Sequence, residues 1–224
     1  MKVKLISYSR PSRDMVDEGL MDVEDLVAFC ARVSNPSNQM NQETTSKLIK
    51  YLIKHQHWSP LEMASACLEI DTTRDIARQI LRHRSFSFQE FSQRYANPQD
   101  MDNAFEIREA RMQDTKNRQN SVECDDISII APWIAKQQEV INKAKEVYDW
   151  AIENGIAKEQ ARAVLPEGNT KSRMYMNGTL RSWIHYIDLR ASNGTQKEHM
   201  DIAKAIATVI SEIFPLTKEL HHVA

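Results

Sequence analysis

The chain has 224 residues, 42% of them hydrophobic and 27% charged. This ordinary globular composition suffices for one sizeable core, and we read residues 1–224 as a single domain. With 29 basic against 31 acidic residues the formal net charge is −2, which excludes a general polyanion binder, and no apolar run is long enough to span a bilayer.

Residues 2–8 alternate enough for a first strand, and the start leads to serine and arginine rather than to the apolar stretch of a signal peptide. Residues 22–33 read as a helix with Leu26, Val27, Phe29, Cys30 and Val33 on one face, ended by Asn35-Pro36. A second helix over 42–54 carries Leu48, Ile49, Leu52 and Ile53, and His55-Gln56-His57-Trp58-Ser59-Pro60 follows as a polar-aromatic loop. A strand over 62–71 and a helix over 73–81 deliver the chain into residues 82–96. There Ser85-Phe86-Ser87-Phe88 alternates with period two, whereas Phe88, Phe91 and Tyr95 fit a helical spacing; we read an extended start turning into a loop.

Residues 113–130 are polar and aperiodic, an exposed loop. Pro132 is expected to open the clearest helix, with Trp133, Ile134, Gln137, Val140, Ile141, Ala144, Val147, Tyr148 and Ala151 on the 3.6 period and Gly155 at C′. Helices over 158–165, 177–191 and 196–213 complete the chain. Thr195-Gln196-Lys197-Glu198 fits a capping box for the last, and Phe214-Pro215 stops it. The class is α+β, helix-rich, with three or four strands pairing largely antiparallel.

The five glycines stand at 19, 155, 168, 178 and 194. No Gly-x-Gly exists, so a Rossmann fingerprint and a P-loop are both excluded in their usual forms. Three scattered cysteines, at 30, 67 and 124, fit a reducing cytoplasm. Cys30 and Cys67 sit in apolar surroundings and read as core, while Cys124 lies between Glu123 and Asp125, a poor setting for a nucleophile. His55, His57 and His83 are neighbours in sequence, but no His-x-x-x-His helix pair accompanies them, so no metal is expected. The tail pair His221-His222 reads as solvent-exposed.

Local positive charge concentrates in Arg82-His83-Arg84 through Arg94-Tyr95, interleaved with Phe86, Phe88 and Phe91. Unpaired guanidinium groups are costly to bury, and the segment is too aromatic for a solvated face. Together its residues suit an anionic, planar ligand, with arginine forks for phosphate or carboxylate, hydroxyls and a carboxylate for a sugar, and rings for stacking.

Arg82-His83-Arg84, Glu90, Ser92 and Arg94-Tyr95 resemble the signature of the flavin-dependent thymidylate synthases, with Gln89 and Ala96 departing from the usual asparagine and serine. Further elements match in the same order. They are Ala31-Arg32-Val33-Ser34, His57-Trp58-Ser59-Pro60, Ala161-Arg162-Ala163-Val164-Leu165-Pro166 and the block 177–190; Met63 stands where the family often has histidine. Each has a plainer reading: a helix end with a solvated arginine at Arg32 and Arg162, a turn at His57, an amphipathic helix bearing Arg181, His185 and Asp188.

The resemblance implies reductive methylation of dUMP without a cysteine nucleophile. FAD is the hydride donor, NADPH its reductant and methylenetetrahydrofolate the carbon source, in a cytoplasmic homotetramer whose sites draw on several subunits. It also implies roles. Gln79, Arg82, Glu90, Ser92, Arg94, Arg162 and Arg190 bind the nucleotide, with Arg190 at the uracil edge as the catalytic cation. Ser34, His57, Ser59, Arg82, His83, Arg84, Glu90, Thr179, Arg181 and His185 line the flavin. The alternative from the residues alone is a single-stranded nucleic-acid module using 82–95 as an arginine-aromatic platform. A helical nucleotide hydrolase would need a magnesium-holding carboxylate cluster, and Glu62, Glu69 and Asp71 lack its spacing.

Overall fold

A computed structural model describes residues 2–220, with side chains through 218; His221-His222 lies outside them. The elements are β1 (Lys2–Tyr8), α1 (Arg13–Asp17), α2 (Val23–Ala31), α3 (Thr45–Lys54), β2 (Ser65–Thr73), α4 (Arg74–Ile80), β3 (Ser87–Glu90), β4 (Arg111–Gln113), β5 (Ser121–Glu123), α5 (Ile127–Glu153), α6 (Lys158–Ala161), β6 (Lys171–Thr179), α7 (Leu180–Arg190), α8 (Lys197–Ile213) and α9 (Thr217–Leu220). The main sheet has the antiparallel order β1-β2-β6-β3. This is the expected α+β class, helix-rich with a small antiparallel sheet and, among the described residues, no parallel βαβ unit.

Alternation explains the sheet. On one face of β2 and β6, Ala66, Leu68, Ile70, Met174 and Met176 are buried against α2, α4, α7 and α8, which contribute Val27, Ile76, Ile80, Trp183, Ile187, Ile202 and Ile206 to the same core. The other face is polar. Arg173 forks onto Asp71 at 2.7 and 2.9 Å, and the Tyr175 hydroxyl donates to Glu69 at 2.9 Å. Cys67 lies on this face opposite Asn177 and is half-buried, as is Cys30, so neither is the core residue expected from sequence.

Several elements differ from the sequence expectation. The second strand runs Ser65–Thr73 rather than 62–71, because a short 3-10 turn occupies Ser59–Glu62. Strand β6 ends at Thr179, so the helix expected from 177 starts at Leu180. The polar stretch 113–130 holds one strand of the β4–β5 hairpin and the first turn of α5, not a continuous loop. Helix α5 begins at Ile127, five residues before Pro132, because Asp126 caps it by accepting from Ser128 N at 2.9 Å. The capping box at Thr195 does not form; Gln196 is the N-cap of α8 and makes no capping hydrogen bond. The helix expected over 158–165 splits into α6 and a 3-10 turn over Arg162–Val164.

Helix ends behave as their chemistry dictates. Gly155 takes a left-handed φ of 75° after α5, with Ile156 N donating to Ala151 O and Gly155 N to Ile152 O, a Schellman motif. Gln56, at φ 59°, makes the same motif after α3 through His57 N→Leu52 O and Gln56 N→Ile53 O. That reversal launches the His57-Trp58-Ser59-Pro60 segment toward α7.

Candidate active site

Helix α7 organises the site along its length. Thr179 caps it, its hydroxyl accepting from Ser182 N at 3.3 Å. Leu180, Trp183, Ile184, Tyr186 and Ile187 bury one side, which leaves Arg181, His185 and Arg190 toward the surface. Near its start Arg181 is ion-paired to Glu62, and His185 packs edge-on against Trp58 with centroids 4.4 Å apart.

The arginine-rich segment is fastened to the same helix. Ser182 Oγ donates to Ser85 O at 3.2 Å, and the Phe86 ring packs on Trp183 at 4.6 Å. The close passage of Phe86 over β6 requires glycine at 178, where a Cβ would overlap Phe86 Cδ1 and lie 2.5 Å from Cε1. At the far end of α7, Arg190 Nε donates to His83 Nε2 at 2.9 Å. That bond demands an unprotonated Nε2. Burial, then the charges of Arg190 and Arg82, accordingly lower the His83 pKa to about 4, so the ring is neutral at physiological pH.

His83 is therefore drawn in beneath Tyr186, its ring 4.8 Å away, whereas Arg82 and Arg84 are exposed and form no ion pair among the described residues. Glu90, at the end of β3, accepts from Ser172 Oγ at 2.7 Å and lies 3.6 Å from Arg74. Ser92 Oγ receives Arg94 N at 3.4 Å, and no imidazole or carboxylate among the described residues hydrogen-bonds it, so nothing activates it as a nucleophile. Arg94 pairs with Glu159, its Nε and Nη2 each 3.2 Å from Oε2. Arg162 Nε donates to the Glu159 carbonyl at 3.3 Å, so one short segment collects both arginines.

Ser34, His57 and Ser59 are exposed. Arg32 is not the solvated arginine of the plain reading: it is 8% exposed and its Nη2 donates to Thr44 Oγ1 at 3.0 Å. His55 and His57 flank Tyr51 on the surface, far in setting from half-buried His83, and among the described residues no group of three or more His, Cys, Asp or Glu is placed to hold a metal.

Gln79 was picked out from sequence, but its neighbours Gln196, His199 and Arg108 were not. Gln79, on the last turn of α4, accepts from His199 Nδ1 at 3.2 Å and donates to Gln196 Oε1 at 2.8 Å. His199 is fully buried and sits at the start of the apolar stripe of α8, the one signal that could have revealed it. Arg108 has Nη2 2.7 Å from Asp75 and Nη1 2.9 Å from Glu198; the second contact is an ion pair off the line a hydrogen bond requires. A cavity of about 770 Å³ opens beside Gln196 and Glu198, lined also by Arg111, Arg118 and Trp133, and contains none of residues 82–94.

The fold is a helix-rich α+β one whose candidate site gathers cationic, hydroxyl and aromatic side chains without a Gly-rich phosphate loop. The family model described as "Thymidylate synthase complementing protein" matches residues 18–216. A probable flavin-dependent thymidylate synthase of Paramecium bursaria Chlorella virus 1 is 49% identical over 215 residues, covering 96% of each chain. A flavin-dependent thymidylate synthase of Synechocystis sp. is 47% identical with the same coverage. Among solved structures, the UMP/dUMP methylase PolB from Streptomyces cacaoi bound with 5-Br dUMP aligns with a TM-score of 0.80 at 26% identity, covering 98% of this chain and 93% of that one. The chain belongs to the flavin-dependent thymidylate synthase family. It is an enzyme, and the single-stranded nucleic-acid alternative finds no support in these matches.

Proposed function

We propose that the chain reductively methylates dUMP to dTMP, with FAD as cofactor, NADPH as its reductant and methylenetetrahydrofolate as carbon donor, and that residues 1–224 act as one domain. The observation that carries this reading is the behaviour of the 82–94 segment. Its histidine is locked onto Arg190 while Arg82 and Arg84 stay exposed and, among the described residues, without a carboxylate partner.

The residues fit the cofactor chemically. Arg82, Arg84 and Arg181 offer cations for a pyrophosphate, Ser34, Ser59 and Thr179 offer hydroxyls, and His57 and the Trp58–His185 pair offer rings for a planar heterocycle. His83 would sit between the flavin set and the nucleotide set. When bound, the flavin supplies the hydride chemistry, and the protein's part is position and electrostatics.

On the nucleotide side, Arg94 and Arg162 would neutralise the phosphate, exchanging Glu159 for it, while Gln79, Glu90 and Ser92 would fix phosphate and sugar and Arg82 would stand beside Arg190. Arg190 would stand at the uracil edge as a permanent cation, its direction fixed by His83, and favour negative charge developing on the ring. No thiol is needed. The three cysteines are half-buried, and burial pushes the Cys30 and Cys67 thiols up, away from thiolate.

A homotetramer and a cytoplasmic location complete the reading. Helix α5 buries only a narrow stripe of its own chain, Gln137, Ile141, Ala144, Tyr148 and Ala151, while Trp133, Ile134, Val140 and Trp150 stay exposed, as expected of a helix that other copies cover. Among the described residues no helix is long and apolar enough to cross a membrane, and the cysteines are free.

The test is tritium release from dUMP labelled at carbon 5, with protein that is yellow as purified. Release that requires the folate, FAD and NADPH together supports the proposal. Release independent of flavin, or a colourless protein that binds no FAD, overturns it.

A further inference from the structure

We infer that Tyr186 and His199 are positioning residues that set the orientation of the Gln79 amide for the nucleotide, an inference resting on the reading of Gln79 as a dUMP-binding residue.

The argument starts from a carboxylate. Glu198 can only accept at Oε2, so the Gln196 side chain 2.9 Å away must face it with Nε2. Gln196 then turns Oε1 toward Gln79, which must answer with Nε2 at 2.8 Å. Gln79 is left with Oε1 toward His199, so the imidazole must carry its proton on Nδ1, 3.2 Å away. Nε2 of His199 is thereby an acceptor, and the Tyr186 hydroxyl donates to it at 2.9 Å.

Every donor points one way, from Tyr186 through His199, Gln79 and Gln196 to Glu198, and reversal at any link would set two donors or two acceptors face to face. The reverse tautomer would also strand the Tyr186 proton, in a residue 1% exposed, with no acceptor. Arg108 anchors the far end by its ion pairs to Glu198 and Asp75.

A histidine that served the core alone could be satisfied by Tyr186. This one spends its second nitrogen on Gln79, which is half-buried three residues before Arg82. The link crosses from the core to the site. It fixes which end of the Gln79 amide is which, a choice a free glutamine would leave open and one that decides whether the bound nucleotide meets a donor or an acceptor. Tyr186 also packs edge-on against His83, so the same phenol ring that orients His199 backs the Arg190–His83 pair.

Nitrogen-15 NMR of the imidazoles in FAD-loaded protein, with His199 assigned by its loss in His199→Asn, is expected to show a neutral ring protonated at Nδ1 between pH 6 and 8. A proton on Nε2 would overturn the inference. In kinetics, His199→Leu removes the donor to Gln79 and should raise the KM for dUMP about three- to tenfold, the worth of one hydrogen bond, with kcat and FAD content within about twofold. His199→Asn restores a short side-chain N–H and should recover most of that loss. If the two variants share one KM for dUMP and differ from wild type only in Tm, His199 is merely structural and the inference fails.

Should His199→Leu not fold, Tyr186→Phe carries the test, because it frees the imidazole to take either tautomer and should raise the same KM about two- to threefold; an unchanged KM contradicts us. Gln79→Leu separates the two ideas. If it leaves the KM for dUMP unaltered, the nucleotide role of Gln79 falls and this inference with it. If it raises the KM while His199→Leu does not, only this inference falls.

Discussion

The two flanks of the arginine-rich segment were built on opposite principles. Around Arg190, His83, Tyr186 and His199 the side chains are tied to one another: the arginine's Nε to the imidazole, the phenol to the second histidine, that histidine to Gln79. Around Arg82, Arg84, His57 and Ser59 the side chains are exposed, and the two arginines lack ion-pair partners among the described residues. The first region is prearranged by the fold. The second holds exposed cationic and hydroxyl groups that, on the proposed reading, a ligand would arrange. The difference teaches which substitutions should damage the folded protein as well as function, and which should damage ligand binding alone.

The largest expected effect lies at the prearranged flank. On the proposed reading Arg190→Ala removes a cation fixed at the uracil edge, and it should cut thymidylate formation on the order of 100–1,000-fold at saturating dUMP, with FAD retained. Arg190→Lys should recover little, since a point charge on a flexible stem cannot both donate to His83 and reproduce the planar fork. Steady-state kinetics in dUMP decide; near-normal turnover at saturation would reduce Arg190 to a binding group.

Next comes the hinge between strand and segment. Gly178→Ala forces Phe86 off Trp183 and should cost about 1–3 kcal/mol of unfolding free energy by denaturant titration. Pairing it with Phe86→Leu should return part of the loss. If Gly178→Ala is neutral, the ring does not hold the segment as described.

Acid should attack the same flank. His199 is fully buried and its pKa is lowered to about 3, and His83 is held at about 4. For both, the unfolded chain takes up protons near pH 6.5 and the native state does not, so stability is full above that pH and declines as pH falls toward 4 and 3. The loss attributable to His199 is on the order of 1.4 kcal/mol per pH unit below 6.5. Urea midpoints measured from pH 7.5 to 5 should fall more steeply in wild type than in His199→Asn. The smallest effect belongs to the thiols: Cys30, Cys67 and Cys124 changed together to serine or alanine should leave turnover within a few-fold. Loss of all turnover in a folded, FAD-loaded protein would restore a cysteine mechanism.

How far the sequence disclosed this depended on how local each feature is. Helices with a continuous apolar stripe, α3 and α8 above all, were legible because the 3.6 period and the core face coincide. Strand β6 was not read, although Ser172, Met174, Met176 and Gly178 alternate with Arg173, Tyr175 and Asn177, because its buried set lacks the β-branched residues that mark strands. The β4–β5 hairpin has no buried alternation to reveal it, and Pro132 hid a start that Asp126 and Ser128 set five residues earlier. At the site, the charged residues stood out by type. Gln79 was read by resemblance, but the hydrogen-bonded chain behind it was not, because its partners Tyr186, Gln196 and His199 come from α7 and the entry to α8, and only the folded topology brings them to α4.

The contrast between the flanks is tested most directly by thermal unfolding of FAD-stripped protein, with and without added FAD, in His83→Ala and Arg84→Ala side by side. Surface substitutions away from packed networks stay within about 0.5 kcal/mol, and a ligand raises Tm only where it binds. Arg84→Ala should therefore unfold at the wild-type temperature without FAD and lose most of the FAD-induced rise. His83→Ala should unfold several degrees lower even without FAD. Equal losses in the FAD-free protein, or a full FAD-induced rise in Arg84→Ala, would contradict a site with one flank built by the fold and the other completed by its ligand.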